Sequence, residues 1–196
     1  MPTLPRAYRI LVVAAIDKFC EQLSPLIPPS IAPTVDRAAS VNQAQRKIAD
    51  RAYDIVIVGT PLPDDFGVRF AIDASAGSNT VVMLLVHADF YDAVYDKVYP
   101  YGVFVLRRPT SPALIRQALD WLIATRERLR SLEKRSLSLQ EKMEEIRVVN
   151  RAKWALITHL NMTEDAAHHY IEKQAMDRCV PRRTVAEDIL RTYKES

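Results

Sequence analysis

The sequence predicts a doubly wound parallel α/β sheet, then a long coiled-coil helix and a small all-α module of three helices. Three observations carry this. Short β-branched apolar runs alternate with helical stretches over residues 1–120. A helix-period pattern then runs from Trp121 to Met162 without a glycine or proline. Two shorter helical patterns follow, too small to bury more than a modest shared core. The expected boundaries are 1–120 for the sheet domain, 121–150 for the coiled-coil helix and 151–196 for the module.

Within the sheet domain, residues 9–13, 54–58, 80–86 and 103–106 form the four clear strands. Residues 32–36 offer a weaker fifth. Such continuous apolar runs belong to parallel strands covered on both faces. Helices are expected near 18–26, 40–51, 68–76, 91–99 and 112–123. Pro61 and Pro63 punctuate the loop after the second clear strand.

Beyond the sheet, apolar residues fall into sevens. Leu122, Leu129, Ser136, Met143 and Asn150 take one seam position. Thr125, Leu132, Leu139 and Ile146 take the other. Such a seam predicts a coiled-coil homodimer, since an isolated helix of this length is marginal in water. The plainer alternative is a single amphipathic helix folded back on the sheet domain.

In the last segment Thr163 is the expected N-cap of a helix, with Glu164 and Asp165 in its first turn. Pro181 suits the start of the final helix. Ala155, Leu156, Leu160, Ala167, Tyr170, Ile171, Ala175, Val185, Ala186 and Ile189 are the expected core. Trp154 and Tyr170 are either core residues or platforms for stacking bases, and core packing is preferred. Lys153, Lys173, Arg178, Arg182, Arg183 and Thr184 remain as ligand contacts. Guanidiniums gathered at a helix N-terminus favour phosphate oxygens.

Charge supports the same direction. Residues 1–125 hold 12 basic and 12 acidic residues, whereas 126–196 hold 15 and 12, so the whole net charge of +3 lies in the last 71 residues. That suits a polyanionic partner, though the excess is modest. Several classes find no support. The 4 glycines form no Gly-x-Gly-x-x-Gly or other phosphate loop. No Gly-x-Ser-x-Gly elbow marks a hydrolase. His87, His159, His168 and His169 lack metal-ligand spacing. No metal or cofactor is therefore expected, nor an enzyme. Cys20 and Cys179 suit reduced thiols. With neither a signal core near Met1 nor a membrane-length apolar run, a cytoplasmic protein is expected.

Two family resemblances sharpen these expectations. The stretch 151–190 carries Ala152 and Lys153, Ala166, Ala175 and Met176, and Val185 and Ala186. At that spacing it resembles the ANTAR domain, the RNA-binding output module of transcription antiterminators. It departs from that pattern at Trp154, usually a small residue, and at Arg182, usually apolar. The resemblance favours Lys153 and the 182–184 turn, with Arg178 beside them, as RNA contacts. It implies a leader RNA with paired hairpin loops as the target.

The sheet domain resembles the receiver domain of response regulators, a flavodoxin-like fold, through its first strand, residues 54–67, and Arg108 with Pro109. At the family's phosphoacceptor aspartate this chain has Gly59. Ala14 and Ala15 replace the magnesium-binding acids, Leu85 the hydroxyl residue, and Arg108 the lysine. Phosphoryl transfer to a carboxylate needs the nucleophile and the metal's hard oxygen ligands, so a pseudo-receiver is expected. Asp17, Asp64 and Asp65 are expected on loop positions outside the motif. The pairing of domains is similar to amidase-operon antiterminators, which implies control by a ligand-sensing inhibitory protein. Competing readings are a DNA-binding response-regulator-like transcription factor and an interaction adaptor that binds no nucleic acid. The segment 185–190 is poor in base-reading side chains, which argues against the first.

Overall fold

The computed structural model describes residues 7–32, 34–76 and 79–193, with the side chain of Asp17 outside that description. It divides into two compact units, residues 1–131 and 132–196.

The first unit is built on five parallel strands in the order β2-β1-β3-β4-β5. They are β1 (Ile10–Ala14), β2 (Val35–Ala38), β3 (Ile55–Gly59), β4 (Val81–His87) and β5 (Phe104–Arg108). Between them run α1 (Asp17–Leu23), α2 (Val41–Asp50), α3 (Val68–Ala76) and α4 (Tyr91–Val98). The apolar runs resolve into two faces because strand side chains alternate. Leu11, Val13, Val56, Val58, Val82 and Leu84 join one buried layer with Ala44, Phe70, Ala71 and Val94. Ile10, Val12, Ile55, Ile57, Met83 and Leu85 join the other with Cys20, Leu23, Ala118, Leu119 and Leu122.

The weak fifth strand lies slightly later than expected, at Val35–Ala38, and is only partly buried. It is an edge strand with Asp36 and Arg37 in the middle, and a polar edge blunts further pairing. Pro25 turns the end of α1 into a single 3-10 turn, Ser24–Leu26. Helix α2 is capped twice. Ser40 Oγ accepts from Gln43 N at 3.2 Å, and both Asp64 carboxylate oxygens accept from Val41 N and Asn42 N at 2.9 Å. Those two N–H groups hold Asp64 below its ordinary pKa.

Helix α5 runs from Pro112 to Leu160. Its beginning serves the sheet, and here the expected seam is corrected. Leu122 is fully buried in the second layer and Leu129 packs against the same layer. Neither is free to form a coiled-coil seam. Apolar residues spaced three and four apart satisfy a sheet-packing helix as well as a coiled coil, and here the sheet takes them.

The second unit comprises α5 from Leu132, then α6 (Glu164–Asp177) and α7 (Arg182–Thr192). Thr163 caps α6 as expected, its Oγ1 accepting from Ala166 N at 3.2 Å. Asn161 ends α5 at φ 49°, a left-handed conformation asparagine tolerates. Cys179 takes φ 51° after α6, and Val180 N reaches back to Ala175 O at 3.0 Å.

The unit's core is Val148, Ala152, Leu156, Ala167, Ile171, Ala175, Val185, Ala186 and Ile189. Ala152, Ala167 and Ala186 have no exposed surface. Alanine at such points lets helices approach closely, which gives the Ala-rich motif its physical reason. Three expectations change. Leu160 and Tyr170 are exposed at 47% and 39%, and Trp154 at 67%. Trp154 lies two residues from both Ala152 and Leu156. Two residues turn a helix by about 200°, so their burial sends its indole outward.

Among the described residues no helix is long and apolar enough to cross a membrane.

Candidate nucleic-acid interface

The carboxy-terminal unit holds a groove of about 410 Å³ lined by Lys142, Glu145, Ile146, Val149, Asn150, Lys153, His168 and Arg182. Helix α5 supplies one wall through positions 142, 145, 146, 149, 150 and 153, which share one face at helical spacing. His168 on α6 and Arg182 at the start of α7 complete it. Of the expected contacts, the groove gathers Lys153 and Arg182. Lys142, Asn150 and His168 join them without having been expected. The helical spacing of Lys142, Asn150 and Lys153 was the available signal. Ile146, expected in the seam, also lines this groove.

Arg178 lies elsewhere. It lines a smaller hollow of about 200 Å³ with Tyr170, Gln174, Asp188 and Tyr193. Arg183 and Lys173 are exposed, and Thr184 is partly buried in the first turn of α7.

The candidate cations are paired with carboxylates of the same unit. Lys153 Nζ meets Glu164 Oε1 at 3.0 Å and holds that carboxyl below its ordinary pKa. Arg178 Nη2 donates to Asp188 Oδ2 at 2.7 Å. Arg182 Nη1 donates to Glu172 Oε1 at 3.2 Å, and its Nε lies 3.8 Å from Glu145. Arg183 Nε donates to Glu187 Oε1 at 2.7 Å, which raises its pKa with help from Glu144 and Glu141. His168 Nε2 lies 3.3 Å from Glu172 Oε1. The arginine pairs are solvent-exposed and such pairs hold weakly, so a phosphate can displace their carboxylates at small cost, while the Lys153 side chain, 16% exposed, is the more sheltered partner.

Along α5 within this unit, Leu132, Leu139, Met143 and Ile146 are each more than half exposed, as is Leu137. Leu132, Leu139, Met143 and Ile146 share one face and form an apolar stripe that nothing among the described residues covers, whereas Leu137 lies off that face.

In the first unit, the expected degenerate site gathers at the carboxyl ends of the strands. Ala14, Ala15, Gly59 and Arg108 line one hollow of about 300 Å³, together with Ile16, Phe19, Thr60, Pro61, Leu62 and Pro63. Leu85 and Arg108 line an adjoining one. Arg108 Nη2 donates to the Thr60 carbonyl. Burial depresses the Arg108 guanidinium pKa.

A magnesium ion does not fit this lining. It demands hard oxygen ligands, and the described side chains here bring no carboxylate. Asp64 is occupied capping α2, and Asp65 accepts from Gly67 N at 2.6 Å. The acceptor position is also crowded. A Cβ on Gly59 would lie 3.2 Å from Phe19 Cε1, so the Phe19 ring covers the place where an acceptor side chain would stand.

Comparison with known proteins agrees with this division. Residues 137–190 match the family model described as the ANTAR domain. The chain is 27% identical over 139 residues to the transcriptional regulatory protein PdtaR of Mycobacterium tuberculosis, strains CDC 1551 / Oshkosh and ATCC 25618 / H37Rv. That alignment covers 71% of this chain and 68% of the relative. Among solved structures, a signal receiver domain of an HD domain-containing protein from Pseudomonas fluorescens Pf-5 superposes with TM-score 0.59 at 23% identity. It covers 67% of this chain and 97% of its own. A two-component response regulator from Clostridium difficile gives TM-score 0.53 at 16% identity, covering 60% and 96%. An adenylate cyclase from Rhodopirellula baltica gives 0.60 at 20% identity, covering 66% and 96%. At such identities the likeness is one of fold. This chain carries an ANTAR domain at residues 137–190, behind a domain with the receiver fold.

Proposed function

We propose that this protein is an RNA-binding transcription antiterminator, which binds leader-RNA hairpins as a dimer and is controlled by a protein partner instead of aspartyl phosphorylation. A receiver fold joined to an ANTAR domain is the content of a transcriptional regulator of the antitermination type. The observation that carries RNA binding is the groove in that domain, which sets Lys142, Lys153 and Arg182 beside the Asn150 amide. Phosphates would engage the cations, and loop bases would find the exposed Trp154 indole one residue from Lys153. The apolar stripe Leu132, Leu139, Met143 and Ile146 supports pairing of two copies, which would present two modules to two hairpins. With no carboxylate among the described groove-lining side chains around Gly59, regulation is assigned to a partner, in the manner of a ligand-sensing inhibitor.

The test is binding of the full-length protein to the leader RNA of its own operon, with duplex DNA of the same sequence as competitor. The expected result is tight RNA binding that survives the DNA and is lost in the Lys153/Arg182/Arg183→Ala variant. Displacement by duplex DNA would favour the transcription-factor reading. Absence of RNA binding would favour the adaptor, a reading to which the carboxylate pairing of Lys153, Arg182 and Arg183 lends weight.

A further inference from the structure

The two adjoining hollows at the carboxyl end of the sheet share Ile16, Phe19 and Arg108. The second, about 330 Å³, adds Lys18, Gln22, Leu85, Pro109, Thr110 and Ile115. Its volume falls in the range of small-molecule sites. Its walls are mostly apolar. Of its two cations, Lys18 is exposed at the rim and Arg108 is partly buried.

Arg108 is an unusual occupant of such a wall. Its guanidinium lies 5.8 Å from the centre of the Phe19 ring and donates to the Thr60 carbonyl. Among the described residues its Nε is buried without an acceptor. Thr110, which lines the same hollow, has its Oγ1 buried without a partner too. A buried polar group left unpaired is destabilising, and more so when charged. Both residues line one hollow, so a small turn of each side chain brings its unpaired donor to an acceptor placed there.

We propose that this cleft binds a small organic carboxylate with an apolar body, so that the receiver-fold domain is itself a ligand-binding domain. The carboxylate accepts from Arg108 Nε–H and the Thr110 hydroxyl. The apolar body lies against Phe19, Leu85 and Ile115. A monoanion matches the single partly buried cation. A phosphate dianion brings a second negative charge among apolar walls, which is unfavourable without another counter-ion. The assignment stands on the cleft alone and is independent of RNA binding. Because Ile115 belongs to α5, whose start forms one wall, the ligand also fastens the root of that helix.

The test is an NMR titration of the full-length protein with phenylacetate as the probe. Phenylacetamide serves as its neutral isostere, and acetate and inorganic phosphate as anions without the apolar body. Saturable phenylacetate binding is expected, with a shift of the Arg108 Nε–H resonance and binding of phenylacetamide weaker by about tenfold or more. Arg108→Gln should weaken phenylacetate by a similar factor and leave phenylacetamide unchanged. Equal binding of phenylacetate and phenylacetamide overturns the anion site. Phosphate binding as tight as phenylacetate overturns the apolar component. No saturation below about 10 mM, or saturation without an Arg108 shift, overturns the proposal altogether. Where Arg108→Gln does not fold, the probe contrasts and the Arg108 resonance in the unaltered chain decide.

Discussion

Arg130 Nη2 donates to Asp54 Oδ1 at 2.6 Å, joining residues 76 apart in the chain. Arg126 Nε donates to the same oxygen at 3.0 Å, and the Arg9 backbone N–H donates to Oδ2 at 3.0 Å. The three side chains are only 12–15% exposed. Tyr8 closes the cluster, its hydroxyl donating to Glu127 Oε1 at 3.0 Å beneath the Arg130 guanidinium. The root of α5 is thereby pinned to the amino end of β3. Burial pushes the Asp54 pKa up, but the Arg9 N–H and the two guanidiniums outweigh it and hold the carboxyl below its ordinary value.

Asp54→Ala removes the carboxylate that Arg126 and Arg130 share, though Arg130 keeps Glu127 at 2.8 Å, and should destabilise the first unit by about 1.5–3 kcal/mol. Urea denaturation at pH 7 measures it. A folded pKa depressed below the unfolded one means the contribution is present above about pH 4 and is lost as the pH falls through the folded value. The gap between wild type and variant should therefore close in acid. A variant as stable as wild type at pH 7 would remove the pin from the account.

At the alkaline end Tyr53 governs. Burial first, then the bond to Asp36 Oδ2 at 2.9 Å, raises its pKa to about 12. A raised folded value favours the protonated phenol. Its contribution is complete below pH 10 and is lost as the pH rises from 10 towards 12. Urea midpoints should fall between pH 9.5 and 11.5, by roughly that linkage, more steeply for wild type than for Tyr53→Phe. Parallel profiles would contradict it.

Leu122 and Leu139 are both leucines of one heptad pattern, yet their substitutions should fail differently. Leu122→Ala empties a fully buried site and should cost about 2–5 kcal/mol of fold stability. Leu139→Lys changes an exposed residue, so each chain should stay folded while sedimentation shows the mass fall from dimer to monomer. Unaltered wild-type chain sedimenting as a monomer at micromolar concentration would dismiss the pairing.

Trp154→Ala should leave stability within about 0.5 kcal/mol, because the indole is two-thirds exposed. If the indole stacks on a loop base, RNA affinity should drop by about tenfold, at the lower end of base–aromatic stacking. Fluorescence anisotropy with labelled leader RNA reports the affinity, and thermal melting the stability.

Ala152→Leu or Ala186→Leu should cost about 1–3 kcal/mol by overpacking a helix contact that has no free surface. Circular dichroism of the melting transition would register it.

Much of the fold was legible in the sequence because burial on both faces forces continuous β-branched runs, as in Ile55–Gly59. Strand β2 was faint because an edge strand carrying Asp36 and Arg37 lacks that signature. The division of labour along α5 was not legible, since one spacing serves sheet packing at Leu122 and an exposed stripe at Leu139. The exposure of Trp154 could have been derived from the two buried neighbours on the opposite helix face. The groove was hidden for a different reason. His168 and Arg182 join Lys153 only through the packing of three helices, a tertiary fact no local spacing encodes.

The carboxylates beside the candidate cations change what salt can do. A bare lysine on a nucleic-acid surface releases a mobile ion when phosphate arrives, and affinity then falls steeply with salt. Here Glu164, Glu172 and Glu187 are tethered counter-ions that cannot diffuse away. Displacing them gains none of that mixing entropy. An RNA held by Lys153, Arg182 and Arg183 should therefore show a shallower salt dependence than three phosphate contacts ordinarily give. Discrimination would then rest on base shape and stacking more than on the density of phosphate charge.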